Sequence, residues 1–129
     1  MNATMPEDLH RLWIERLNAG DLDGLVALYE PAGAFVAQPG QIVTGHAAIR
    51  AACAGLLALN PTATLDVRSV VLAGDVALLI STWNLAGTDA EGTPVTIAGQ
   101  TSDVARRQPD GTWLCAIDNP WGDAAVGVP

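Results

Sequence analysis

From residue 9 to residue 17 apolar side chains return at helical spacing. Leu9, Trp13 and Leu17 lie four apart with Leu12 beside them, which predicts an amphipathic helix over residues 6–18. Thr4-Met5-Pro6-Glu7 has the form of a capping box with proline in the first turn, where its missing N–H costs nothing. Gly20 ends this helix, and Asp21 is placed to cap a shorter one whose buried face is Leu22, Leu25, Val26 and Tyr29, stopped by Pro31. A hairpin follows, with arms 34–37 and 41–43 around Pro39-Gly40. Thr44 then caps a third helix over residues 45–59, with Ile49, Ala52, Cys53, Leu56 and Leu57 as its apolar stripe and Asn60-Pro61 as its end.

Beyond Pro61 the period changes from helical to alternating. Ala63, Leu65 and Val67 point one way, and Thr64, Asp66 and Arg68 the other. Four strands are predicted, over residues 62–72, 76–87, 95–107 and 112–119, separated by turn residues at Gly74-Asp75, 88–94 and Pro109-Asp110-Gly111. Helices first and an antiparallel meander afterwards predict an α+β fold, three N-terminal helices packed on a curved, mostly antiparallel sheet. Long strands that curl around three helices leave a cone with an open mouth, a natural ligand pocket. The expected organisation is one domain over residues 1–129, its ordered core about 7–122 and its tail from residue 123 loose.

Composition narrows the function classes. Of 129 residues half are hydrophobic and 16% charged, enough for a packed core. A net charge of −8, with no run among six Arg and Lys, argues against nucleic acid and anionic membrane surfaces as partners. No apolar stretch reaches the roughly 20 residues of a membrane span. Residues 1–15 lack the basic and apolar zones of a signal peptide. Cys53 and Cys115 lie far apart without CxxC spacing, as two buried free thiols in a reducing cytoplasm would. His10 and His46 are isolated, so neither a metal site nor a cofactor is expected; His46, in the first turn of a helix, is read as exposed.

Three segments resemble a known family. Leu17-Asn18-Ala19-Gly20-Asp21-Leu22-Asp23-Gly24 is similar to the junction of the first two helices in ketosteroid isomerases. Gly45-His46-Ala47-Ala48-Ile49-Arg50 resembles the start of their third helix. Asp110-Gly111-Thr112-Trp113 through Trp121-Gly122 resembles the last strand of the wider SnoaL-like and ketosteroid-isomerase-like domains of the nuclear transport factor 2-like superfamily. The resemblance spans residues 7–122 and implies the cone fold. It does not carry the isomerase chemistry, which uses an Asp base with a Tyr and a protonated Asp as oxyanion donors. Those roles fall on Gln38, Trp13 and Ser102, with Asp103 one register step away.

The same resemblance, joined to strand alternation, sets which side chains face the cone. It places Gln100, Ser102 and Val104 inward with Thr101 and Asp103 outward, and Ile117, Asn119 and Trp121 inward with Asp118 outward. The expected pocket is walled by Trp13, Phe35, Trp83, Ile117 and Trp121, with Gln38, Gln100, Ser102 and Asn119 as its polar groups. Tyr29 is expected in the helical core with its hydroxyl at the rim, and Asp21, Asp23 and Glu30 as caps or solvated surface. Two functions follow from the two possible registers. A neutral, amide-lined pocket binds a small apolar molecule without chemistry. A one-residue slip instead puts Asp118, or Asp103, in an apolar cone as a general base for proton transfer on a small carbonyl or polyketide-like substrate. Epoxide hydrolysis lacks an Asp–Arg–Asp set. The outer sheet face carries Thr, Val and Leu beside Arg68 and Asp103, which favours a homodimer.

Overall fold

Residues 2–125 are described by the computed structural model. In chain order its elements are α1 (Asp8–Asn18), α2 (Leu22–Val26), β1 (Tyr29–Gln38), β2 (Gln41–Thr44), α3 (His46–Leu57), β3 (Thr62–Ala73), β4 (Val76–Thr88), β5 (Pro94–Arg107) and β6 (Trp113–Asp118), then a 3-10 turn, Gly122–Ala124. One six-stranded sheet has the order β2-β1-β6-β5-β4-β3. The meander from β3 to β6 is antiparallel, as the alternation predicts, and β1 closes it by pairing parallel to β6. The architecture is therefore α+β with a mixed sheet.

Local chemistry explains where the elements begin and end. Before α1 it is Asp8, not the Thr4/Glu7 pair, that satisfies free donors: its carboxylate accepts from the N–H groups of Thr4 and Met5 at 3.2 and 3.1 Å. Asp21 caps α2 as expected, accepting from Gly24 N–H at 2.9 Å. That helix is only five residues long, and the chain is already extended at Tyr29, which belongs to β1 instead of the helical core. Pro31 does not end a helix but sits in β1 where β2 does not reach, so its missing N–H breaks no ladder bond there. α3 starts after Gly45, whose φ of +85° supplies the turn, with no side-chain cap from Thr44.

The sheet curls where its register slips. One extra residue intrudes between Val67 and Ser69 on β3, and another on β6, where Val104 pairs Ile117 but Ala105 pairs Cys115, leaving Ala116 unpaired with β5. The helices fill the concave side. Leu17, Leu25, Ile49 and Leu79 are at most 1% exposed, and each such side chain contributes about 1.5–3 kcal/mol by leaving water. On the convex side Val71, Val76, Leu78 and Ile117 stay exposed. The segment from Asp123 to Ala125 is not loose, since the Ala125 carbonyl accepts from Gly40 N–H at 2.6 Å; Met1 and residues 126–129 lie outside the described residues. Among the described residues no helix is long and apolar enough to cross a membrane.

Candidate functional site

On β5 the buried positions are odd-numbered: Thr101, Asp103 and Ala105 face the helices, while Gln100 is exposed and Ser102 and Val104 lie on the opposite face. On β6 the buried positions begin odd, at Trp113 and Cys115, and end even, at Ala116 and Asp118. The bulge at Ala116 causes this change of phase. An unbroken strand would have carried Ile117 and Asn119 inward; the extra residue turns Ile117 out, 44% exposed, and Asp118 in, 8% exposed. The expected parity of both strands is thus reversed, and two carboxyls meet on the concave side.

Each carboxyl is held by its own set of donors. Asp118 accepts a hydrogen bond from the Tyr29 hydroxyl, and Trp13 Nε1–H donates to that same Tyr29 oxygen at 2.9 Å. Asp103 accepts from His10 Nε2–H through Oδ2 and from Asn119 N–H through Oδ1, both at 2.6 Å. His10 Nδ1 in turn lies 2.6 Å from Ser81 Oγ. Burial explains why a carboxylate of ordinary acidity is not found at Asp118. Desolvation and the neighbouring charge of Asp103 push its pKa well above the usual aspartate range, against a smaller opposite pull from the Tyr29 hydrogen bond. The Tyr29 phenol is raised too, by burial first and by Asp118 second, so it remains a donor.

This network closes the narrow end of a cavity walled by the aromatic and aliphatic side chains of α1, α3 and the sheet. The space open to the centre of a water molecule is about 80 Å³. Trp13, Phe35, Trp83 and Trp121 line it where the sequence places them, and so do Asp103 and Asp118. Ile117, Gln38, Gln100, Ser102 and Asn119 do not. Ile117, Gln100 and Ser102 lie on the other side of the sheet for the reasons of phase given above. Gln38 is exposed at the tip of the β1–β2 hairpin. Asn119 spends its side chain on the following turn, donating to the Gly122 carbonyl at 2.8 Å, and reaches the site only through its backbone N–H. Asp118 and Asp103 therefore do not join Arg68 on the outer face.

Three participants were not expected from the sequence. His10 was read as isolated, Tyr29 as helical core, and Thr101 as outward; all line the cavity. His46 is not exposed either but half-buried, donating from Nε2 to the Tyr29 carbonyl at 2.8 Å, which fixes the start of β1. A signal existed for β5: Val95 and Ile97 on the odd positions are more apolar than Thr96 and Gln100 on the even ones. Among the described residues no three His, Cys, Asp or Glu side chains converge as metal ligands.

Residues 10–114 match the model of the SnoaL-like domain family. Among solved structures, a ketosteroid isomerase-like protein from Erwinia carotovora atroseptica superposes with a TM-score of 0.78 at 19% identity, over 88% of this chain and 89% of that one. A nuclear transport factor 2-like superfamily protein from Salmonella enterica serovar Typhimurium gives 0.74 at 15% identity, over 87% and 84%. A nuclear transport factor 2-like protein with a cystatin-like fold from Novosphingobium aromaticivorans gives 0.73 at 20%, over 87% and 75%. At such identities the likeness is one of fold. No curated protein matches the chain.

Proposed function

The chain belongs to the SnoaL-like domain family, within the nuclear transport factor 2-like superfamily, and we propose that it is a proton-transfer enzyme acting on a small apolar carbonyl compound. The observation that carries this reading is that two buried carboxyls, Asp103 and Asp118, line one apolar cavity. Two neighbouring carboxyls inside a dry site hold one proton between them, because both cannot ionise there cheaply. That proton belongs on Asp118, which has one outside donor, Tyr29; Asp103 has two, His10 and the Asn119 amide.

In the proposed reaction Asp118 donates its O–H proton to the substrate carbonyl oxygen. The Asp103 carboxylate takes the proton from the adjacent carbon, the C–H electron pair moves into the new C=C bond, and the carbonyl becomes an enol. Returning the proton to the same or a conjugated carbon restores both carboxyls, so the cycle balances without a cofactor. His10 and Ser81 act behind Asp103 as positioning residues, and Trp13 acts behind Tyr29. The steroid-isomerase roles remain unfilled at Trp13, Gln38 and Ser102, so the acid–base pair is one of this chain's own.

Exchange of substrate α-hydrogens in deuterium oxide, followed by NMR, tests the reading. Asp103→Asn and Asp118→Asn should each slow it by about 10²–10⁴-fold; exchange unchanged in both would refute it. The exposed apolar group of Val71, Val76, Leu78 and Ile117 supports pairing of two copies through the convex face, and light scattering reads that state directly. Two free, buried thiols support a reducing, cytoplasmic setting.

A further inference from the structure

Every indole N–H around the cavity is already spent on the protein. Trp13 donates to the Tyr29 hydroxyl, Trp83 to the Pro120 carbonyl and Trp121 to the Val36 carbonyl, each at 2.9 Å. The three rings therefore present only carbon to an occupant. At the closed end both nitrogens of His10 are engaged, and the Tyr29 proton goes to Asp118. What remains for a ligand's polar atoms is one small patch, the Asp103–Asp118 pair with the neighbouring Thr101 hydroxyl. The six Arg and Lys positions of the chain contribute no lining residue.

Charge gives a second, independent bound. An anionic ligand would desolvate its carboxylate beside two carboxyls with no cation to pair it.

We infer that the substrate is a neutral compound with one carbonyl at its polar end and an otherwise apolar body, and that carboxylic acids are excluded. The inference rests on the reading of Asp103 and Asp118 as the reacting pair. The carbonyl oxygen meets the pair, and the apolar body lies along Trp83 and Trp121.

The test is a binding series by isothermal titration on the full chain at neutral pH, using benzylacetone and the equally large anion hydrocinnamate. Benzylacetone should bind, and hydrocinnamate at least tenfold more weakly. Replacing both carboxyls, Asp103→Asn with Asp118→Asn, should narrow that preference at least tenfold by raising hydrocinnamate affinity. Equal binding of the two probes, a preference that survives the double replacement, or no binding of benzylacetone overturns the inference. Asp118→Asn alone separates the two claims. If it binds benzylacetone and the unsubstituted chain binds it without exchanging its α-hydrogens, the acid–base reading fails and the ligand class stands.

Discussion

The floor and the wall of the cavity handle buried polarity in opposite ways. At the floor, donors from α1, β1 and the residue that follows β6 are spent on two buried carboxyls. Along the wall, Trp83 and Trp121 spend their donors on backbone carbonyls, and the result is a surface with no polar atom left to offer. Both regions satisfy the rule that buried polar groups find partners. They differ in what is left over: reactivity in one, and pure shape in the other.

The sharpest way to break that contrast is to remove the partner of a buried charge. His10→Leu leaves Asp103 without its side-chain donor and should cost about 3 kcal/mol of stability, measured by urea unfolding. A loss under 0.5 kcal/mol would show that the floor is wet.

A medium effect should come from Asp118→Asn, and its sign depends on pH. An unfolded chain releases this proton near pH 3.9, whereas burial and Asp103 make the folded chain hold it to higher pH. The folded state then binds more protons than the unfolded one, so the native protein loses stability as pH rises from about 4 until the folded group ionises. Asn carries no such penalty. The variant should match the parent near pH 3 and exceed it progressively toward neutrality, by up to about 1.4 kcal/mol per pH unit across that window. Unfolding curves that run parallel at pH 3 and pH 7 would count against a raised Asp118. The smallest effect belongs to the wall. Trp121→Phe keeps an aromatic body but strands the Val36 carbonyl, at about 1 kcal/mol, and should leave α-hydrogen exchange within threefold; a hundredfold loss would make Trp121 part of the chemistry.

The sequence carries the helix stripes, the alternation of the meander and the aromatic wall, because each is a local pattern repeated over several residues. Trp13, Phe35, Trp83 and Trp121 could be placed on that basis. The floor could not, because it depends on single events. Pro31 looks like a helix stop and in fact occupies an unpaired stretch of β1, which carries Tyr29 to the carboxyls. His10 gains meaning only from Ser81 and Asp103, which lie 71 and 93 residues away in sequence. On β5 the family-based match favoured Ser102 over the plainer hydrophobic count, and it pointed the strand the wrong way.

The unpaired Ala116 on β6 has a wider meaning. Deleting it would restore strict alternation, turn Asp118 toward the convex face and carry Ile117 and Asn119 into the cone. One codon then separates a cavity floored by acid from one floored by hydrocarbon and amide, with the rest of the chain unchanged. In a fold of this kind a catalyst and a carrier are neighbours by insertion or deletion, and no series of point substitutions is needed to pass from one to the other.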